Sequence, residues 1–305
     1  MFRTPIAIIV FNRPKFTQKL VETIQQVKPE KVFVIADGPR NNHSEDGEKC
    51  VLTRKIIDEA DWSCDVIKNY SNQNLGCGLR VSSGLDWVFE HVDSAIILED
   101  DCIPHVSFFR YCSELLEKYK NDSRVMSISG NNFQKGDTRT DYSYYFSRYI
   151  HCWGWATWKR AWKHYDHGMD LWPEIRDGQW LDDILQDSSA VKYWKARFES
   201  TYLNDIDTWD YRWTLACWIN SGLTVLPNVN LVSNIGFGED STHTKTRVSG
   251  SETNSNRMDF PLKAPPFLIR DSSADSFTHR HHYCAGSRKY LLKQKMTRIV
   301  EEALS

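Results

Sequence analysis

The sequence predicts an α/β fold with a mostly parallel central sheet flanked by helices, and three observations support this prediction. Short apolar runs alternate with helical patterns through the first 130 residues of the 305-residue chain. The composition, 41% hydrophobic and 26% charged, provides enough apolar surface for one large domain or two closely packed halves. No fixed-period repeat occurs, which excludes solenoids and repeat arrays.

The alternation can be followed element by element. A continuous apolar run of four to six residues is typical of a strand buried on both faces, and apolar residues three and four apart are typical of a helix with one buried face. The predicted strands are 6–11, 31–36, 65–68, 94–98 and 125–129. The predicted helices are 17–27, 48–60, 79–91 and 108–120.

The pattern changes after Gly130. Ten of the twelve tryptophans fall between Trp153 and Trp218, mixed with polar residues rather than arranged in clean strand and helix units. Most of them are expected to pack in the core, as large aromatic residues usually do. We therefore divide the chain into a first half at 1–130, an aromatic-rich second half of the same domain at 131–270, and a C-terminal tail and amphipathic helix at 271–305.

Charge, hydropathy and cysteine usage narrow the function. With 38 basic and 40 acidic side chains the net charge is −2, which lacks the basic excess that binding to nucleic acid requires. The longest apolar stretch near the N-terminus, 6–11, is far shorter than the roughly 20 residues of a membrane span, and no signal peptide precedes it. The eight cysteines are scattered without CxxC pairs, which favours reduced thiols over disulfides or zinc. These features predict a cytoplasmic protein.

The strongest local signal is the acidic run, which we define as Glu99, Asp100 and Asp101. It follows the predicted strand 94–98, and ligands of open α/β sheets bind beyond the carboxyl ends of strands. Three adjacent acids repel one another unless a cation or strong donors neutralise them. Mg²⁺ or Mn²⁺ shared with diphosphate oxygens would do so. Acidic residues also cap helices and lie in loops, and that alternative stays open.

Two other nucleotide-binding motifs are absent or incomplete in the sequence. The sequence has no GxxxxGK[ST] loop, and Gly76-Cys77-Gly78 lacks the third glycine of a dinucleotide fingerprint.

Several short motifs follow one another in order between residues 5 and 245. They are Val10-Phe11-Asn12-Arg13-Pro14, Asp37-Gly38, Asn74-Leu75-Gly76 with Arg80, Ala95 to Asp101, Phe108-Phe109-Arg110-Tyr111, Ile128 to Asn132, Cys152-Trp153-Gly154-Trp155, Trp209-Asp210 and Pro227 to Asn230. Their order resembles that of the GT-A nucleotide-sugar glycosyltransferases, in particular N-acetylglucosaminyltransferase I and its protein-O-mannose relatives. The stem and membrane anchor of those relatives have no counterpart here, which favours a soluble relative of bacterial type.

The resemblance implies a nucleotide site. Asn12 and Asp37 match positions that hold the base and ribose, and Arg80 lies at a helix start where it would meet the nucleotide. Asp-Gly is also an ordinary turn pair, and Arg80 is equally compatible with a solvated helix surface.

For the acidic run, the resemblance implies that Asp101 coordinates Mn²⁺, or Mg²⁺ in its place. Glu99 and Asp100 match positions that touch the sugar and the ribose.

The resemblance also implies a catalytic base. Trp209 and Asp210 match a tryptophan and a carboxylate placed against the transferred sugar, and the carboxylate takes the proton of the acceptor hydroxyl. Asp207 and Asp205 are the alternatives. Capping of a helix that runs from Asp210 to residue 219 is a structural alternative for Asp210.

Two further substrate contacts are expected. The segment 236–244 matches a loop that closes over the donor phosphates, with His243 as a hydrogen-bond donor. Because the C–H faces of sugars stack on indole rings, Trp153, Trp155 and Trp209 are expected to line the sugar subsites, although packing in the core is the alternative for most of the tryptophans.

The sequence therefore predicts an inverting, metal-dependent glycosyltransferase with a GT-A (Rossmann-like) fold. Its first half would bind a nucleotide sugar, with UDP-N-acetylglucosamine or another UDP-hexose favoured, and its second half a hydroxyl of a glycan or glycoconjugate. The alternatives are a non-catalytic glycan-binding protein on the same fold and a sugar-1-phosphate nucleotidyltransferase. Peripheral attachment to the inner face of a membrane stays open, because a glycolipid acceptor would bring a soluble enzyme there. The sequence leaves the oligomeric state open.

Overall fold

The structure, a computed structural model, describes residues 1–236 and 254–284. The strands are β1 (Ile6–Val10), β2 (Lys31–Ala36), β3 (Asp65–Tyr70), β4 (Ser94–Glu99), β5 (Cys102–Pro104), β6 (Val125–Ser129), β7 (Tyr144–Ser147), β8 (Trp155–Trp158), β9 (Leu223–Pro227) and β10 (Val232–Asn234). The helices are α1 (Pro14–Gln25), α2 (Asp46–Glu59), α3 (Gly76–His91), α4 (Val106–Lys118), α5 (Lys159–Trp162), α6 (Trp172–Asp177), α7 (Trp180–Leu185), α8 (Ser188–Tyr202), α9 (Asp210–Ile219) and α10 (Ser272–Thr278), with a π-helical turn at His279–Tyr283.

Within the described ranges, eight strands form one sheet in the order β3-β2-β1-β4-β8-β6-β9-β7. β1 pairs in parallel with β2 and β4, β2 with β3, and β6 with β9. β8 runs antiparallel to both β4 and β6, and β7 runs antiparallel to β9. Six strands therefore point in one direction and two in the other, which confirms the predicted α/β fold with a mostly parallel sheet.

The predicted elements of the first 130 residues are present. β2 and β6 have the predicted bounds, and the other three strands differ by one or two residues at their ends. α1 begins at Pro14 rather than at residue 17, because proline is tolerated in the first turn of a helix. α3 begins at Gly76 rather than at residue 79, because Asp207 from the second half of the chain accepts hydrogen bonds from N–H groups of its first turn.

The sheet continues across the predicted division at residue 130. β8 comes from the second half of the chain, yet it inserts between β4 and β6 of the first half. The two halves therefore share one sheet.

Helices cover both faces of the sheet. Ile6 and Ile8 of β1 point to the face packed by α1 and α4, whereas Ala7 and Ile9 point to the face packed by α3 and α9. All five β1 residues are buried, which explains why the strand reads as a continuous apolar run.

The tryptophans of the second half are mostly core residues, as predicted. Trp153 is partly exposed and Trp180 is 52% exposed. The other eight are buried: Trp155, Trp158, Trp162, Trp172, Trp194, Trp209, Trp213 and Trp218. Several of them join α6, α7, α8 and α9 into a separate aromatic cluster beside the sheet.

All eight cysteines are free thiols. No helix in residues 1–236 and 254–284 is both long and apolar enough to span a membrane. His243, with most of the predicted closing loop, and the amphipathic stretch 287–304 lie outside the described residues.

Candidate functional site

The candidate site lies at the carboxyl ends of β1, β2 and β4. These strands are parallel, with Val10 paired to Ala36 and Ile9 paired to Glu99. The residues that follow them, including Arg13, Asp37 and the acidic run, are therefore carried to the same edge of the sheet. This is the edge at which open α/β sheets bind their ligands.

Arg13 contacts the acidic run directly. Its side chain reaches from the N-cap position of α1, and Nη1 lies 3.1 Å from Asp100 Oδ1 and 3.0 Å from Asp101 Oδ2. The three side chains are largely buried, with 18%, 7% and 16% of their surfaces exposed. One guanidinium is therefore shared by two carboxylates, and Glu99 adds a third negative charge beside them.

Within residues 1–236 and 254–284, the carboxylates of this cluster outnumber the cations that contact them. Burial and the charges of Asp101, Asp100 and Asp210 raise the pKa of Glu99. Burial also raises the pKa of Asp100, although Arg13 opposes the shift. The charges of Glu99, Asp100 and Asp101 act on the Arg13 guanidinium, and that of Asp210 acts on Glu99. Both pKa shifts indicate that the cluster favours an added positive charge.

The donor chemistry at Asp101 fits a hard divalent cation. Carboxylate oxygens are the ligands that Mg²⁺ and Mn²⁺ prefer. The backbone here is fixed, since the Ile235 N–H donates to the Asp101 carbonyl at 2.9 Å. A Cβ on Gly236 would overlap Asp101 Oδ2, so glycine at this position lets the chain pass close to the carboxylate.

Protein ligands alone do not complete a metal site here. In the described part of the chain, no group of three or more His, Cys, Asp and Glu side chains is arranged to hold a metal ion. A cation at Asp101 would take further oxygen ligands from a substrate, as a metal–diphosphate site does.

Asp210 lies in the first turn of α9, whose bounds match the predicted helix. Its Oδ1 accepts hydrogen bonds from Thr208 Oγ1 and, at 2.8 Å, from the Tyr211 N–H. An acidic side chain is favoured in a first turn by the helix dipole, and Asp210 also acts electrostatically on Glu99. The structure therefore brings Asp210 and the acidic run together from sequence positions more than one hundred residues apart.

Trp155 and Trp209 form a buried stack near this carboxylate. Their ring centroids are 5.1 Å apart with an interplanar angle of 17°. They are 1% and 2% exposed, so the structure places both in the core, and their contact with a sugar stays a prediction.

Asp207 joins the segment before α9 to the first turn of α3. Its Oδ2 accepts from the Cys77 N–H and its Oδ1 from the Gly78 N–H, both at 2.8 Å. A Cβ on Gly76 or on Gly78 would overlap this carboxylate, and Gly76 has φ +79°, which favours glycine. Asp207 thus satisfies N–H groups that would otherwise lack partners, and α3 begins at Gly76 for this reason. Asp205, the other alternative base, is exposed.

Asn12 binds a second buried carboxylate at the same edge. Its Nδ2 donates to Asp46 Oδ1 at 2.7 Å. Arg40 holds Asp46 from the other side, with Nε 2.6 Å from Oδ2 and Nη2 3.0 Å from Oδ1. Sequence reasoning missed both Asp46 and Arg40, which precede the predicted helix 48–60 and belong to no recognised motif.

Asp37 is buried and binds the segment that precedes α3. Its Oδ1 accepts from the Gly38 and Leu75 N–H groups at 2.9 and 3.0 Å, and Asn74 Nδ2 donates to its Oδ2 at 3.0 Å. Burial raises its pKa, although these backbone hydrogen bonds oppose the shift. The carboxylate therefore holds the motif at 74–76 in place, and a contact with ribose stays a prediction.

Arg80 is buried at 5% exposure, so the solvated-surface alternative is wrong. Its Nε donates to the Ala36 carbonyl at 3.2 Å, and its Nη2 donates to Asn69 Oδ1 at 2.9 Å. Arg80 therefore joins the carboxyl ends of β2 and β3. A contact with nucleotide stays a prediction.

The sequence also does not reveal the role of Arg13. Its motif at 10–14 gives it no function, because its partners lie 87 and 88 residues away. The available signal was its position directly after β1, the parallel neighbour of the strand that ends in the acidic run.

Comparisons with known proteins give only distant likenesses. No protein-family model matches the chain, and no curated protein matches it. Among solved structures, the galactosyltransferase LgtC, in complex with donor and acceptor sugar analogues, has a TM-score of 0.38 and 11% identity over 90% of this chain and 94% of its own. The 4-diphosphocytidyl-2C-methyl-D-erythritol synthase of Anaerococcus prevotii has a TM-score of 0.34 and 12% identity over 52% of this chain and 71% of its own. A UDP-glucose pyrophosphorylase bound to UDP-glucose has a TM-score of 0.27 and 13% identity over 47% of this chain and 61% of its own.

Proposed function

We propose that this protein is an inverting, divalent-metal-dependent glycosyltransferase of the GT-A type. It would transfer a sugar from a nucleotide donor, with UDP-N-acetylglucosamine or another UDP-hexose favoured, to a hydroxyl of a glycan or glycoconjugate. The observation that carries the proposal is the excess of buried carboxylates among the described residues at the carboxyl edge of the sheet, where Arg13 is shared by Asp100 and Asp101 and the charge of Asp210 acts on Glu99. A role in polysaccharide biosynthesis in the cytoplasm, beside a membrane where the acceptor is a glycolipid, would follow.

Asp101 would hold the cation. A bound Mn²⁺ or Mg²⁺ would neutralise the charge that develops on the leaving diphosphate. Glu99 and Asp100 would contact the sugar and the ribose.

Asp210 would act as the general base. Inversion needs an acceptor hydroxyl that attacks the anomeric carbon from the face opposite the diphosphate, and a carboxylate that takes its proton. Asp210 is half-buried at the cluster, whereas both oxygens of Asp207 are engaged by backbone N–H groups. Asp210 is therefore the better candidate of the two.

The remaining predicted contacts complete the proposal. Asn12, Asp37 and Arg80 would border the nucleotide, and Trp155 and Trp209 would form the floor below the sugar. His243 would donate to the donor phosphates from the closing loop.

The test is nucleotide release from a panel of UDP-, GDP- and dTDP-sugars, with Mn²⁺ or with EDTA. We expect slow hydrolysis of one donor with Mn²⁺, and its loss in EDTA and in the variant Asp101→Ala. Asp122→Ala is the matched control, because Asp122 precedes β6 at the opposite edge of the sheet and pairs with Arg124 on the surface.

Two results would contradict the proposal. One is the absence of both nucleotide release and metal-dependent donor binding, which would favour a glycan-binding protein. The other is release of pyrophosphate from a nucleoside triphosphate and a sugar 1-phosphate, which would identify a nucleotidyltransferase.

A further inference from the structure

Arg13 occupies one oxygen of Asp101, the residue that would hold the cation, and one oxygen of its neighbour Asp100. Its Nη1 lies within 3.1 Å of both Asp100 Oδ1 and Asp101 Oδ2, and the guanidinium is also placed over the Phe16 ring, 5.8 Å from its centroid. Arg13 immediately precedes α1, so the backbone that carries it is fixed by the start of that helix. The contact is therefore part of the fold rather than a loose surface pair.

We infer that Arg13, held between Asp100 and Asp101, is a built-in counter-cation that competes with the divalent metal for Asp101. The inference rests on the proposed function. A metal ion binds carboxylate oxygen at about 2.0–2.2 Å, and a guanidinium left within hydrogen-bond distance of that oxygen would repel it. The metal must therefore displace Arg13 from Asp101, or bind against its charge.

The competition between Arg13 and the metal ion makes the site favour a metal–diphosphate complex over the bare metal ion. Bare metal would lose binding energy to the displacement of Arg13, and the displaced guanidinium would lose its partners. A nucleoside diphosphate brings negative charge that offsets both losses. The site would therefore take the metal together with a diphosphate in preference to the metal alone, and Arg13 would stabilise the acidic run between turnovers.

The test measures Mn²⁺ binding without nucleotide, by electron paramagnetic resonance of the free ion, in the wild type and in Arg13→Gln. We expect the Kd for Mn²⁺ to fall about tenfold or more in the variant, because the competing charge is gone. Arg13→Lys keeps the charge, and its Kd should stay within about threefold of the wild type. Arg3→Gln removes the same charge from an exposed position before β1 and should leave the Kd unchanged.

Folding of each variant is checked by thermal melting. If glutamine at position 13 prevents folding, Arg13→Met retains an unbranched stem and tests the same point. An unchanged or higher Kd in a folded, neutral variant overturns the inference. If the wild type still shows metal-dependent donor turnover, only the inference fails, whereas absence of Mn²⁺ binding in all variants and of donor turnover overturns the proposed function as well.

Discussion

Asp46 and the acidic run are buried acids at the same edge of the sheet, but their surroundings shift the pKa of Asp46 and those of Glu99 and Asp100 in opposite directions. Asp46 is a single carboxylate with a bidentate partner, Arg40, and a hydrogen bond from Asn12. The hydrogen bond from Arg40 is the main cause that lowers the pKa of Asp46 to about 2. In the acidic run, Arg13 is shared, and burial raises the pKa values of Glu99 and Asp100.

The difference separates a structural acid from a candidate site. A buried carboxylate with its own guanidinium is complete and has no need of a ligand. A cluster with more carboxylates than cations is costly to fold, and such unbalanced groups concentrate at functional sites. Asp46 and its partners therefore stabilise the fold at this edge of the sheet, and the acidic run is where a cation would bind.

The largest effect is expected from a substitution of Asp210, whose carboxylate adds to the negative charge that acts on Glu99 of the acidic run. Asp210→Asn keeps the shape of the side chain but removes the base, so turnover of the preferred donor and acceptor should fall by about 100-fold or more while UDP affinity is retained. Steady-state kinetics and calorimetry measure the two quantities. Asp122→Asn is the control, and an Asp210→Asn enzyme with the full rate would remove Asp210 from the mechanism.

Asp46→Asn tests the carboxylate that is paired with its own guanidinium, Arg40. Since the folded-state pKa of Asp46 is below its unfolded value of 3.8, its charge stabilises the fold above about pH 4, and this contribution is lost as the pH falls toward 2. The variant should therefore lose about 1 to 2 kcal/mol of unfolding free energy at pH 7 and show a flatter acid dependence in this window.

Urea unfolding at several pH values measures the change. Asp58→Asn serves as the control, because Asp58 is exposed in its pair with Lys68 and such pairs contribute less than about 1 kcal/mol. Identical acid dependence of the wild type and Asp46→Asn would show that Asp46 is not held as a paired anion.

The smallest effect is expected at Asp207, whose carboxylate is matched to helix N–H groups rather than to a cation. Asp207→Ala removes the partners of the Cys77 and Gly78 N–H groups and should cost about 1 kcal/mol of unfolding free energy. Asp205→Ala, at an exposed neighbour, should change stability by less than about 0.5 kcal/mol. Equal stability of the two variants would show that the contact with α3 adds nothing.

The parts of the fold that the sequence predicts are those with local patterns. β1 and most of β2 and β4 are continuous apolar runs because both of their faces are covered. The helix predicted from Asp210 to residue 219 has the bounds of α9. The insertion of β8 between β4 and β6 depends on pairing between segments that are distant in sequence, and no local sequence pattern predicts it.

The candidate site shows the same limit. The acidic run was found because three acids follow a strand directly. The contacts of Arg13 with Asp100 and of Asp207 with Gly78 span 87 and 129 residues, and each depends on the sheet order and on how α9 packs. Residue type alone also left Arg80 undecided, since an arginine on a helix is compatible with solvent until its burial is known.

The most direct test of the account is the affinity of the protein for UDP with Mn²⁺ and with EDTA, measured by calorimetry on the wild type and on Asp101→Ala. If the acidic run gains a cation together with a diphosphate, Mn²⁺ should lower the Kd for UDP by about tenfold or more in the wild type and leave it unchanged in Asp101→Ala. A wild-type Kd for UDP that is the same with Mn²⁺ and with EDTA would contradict the account.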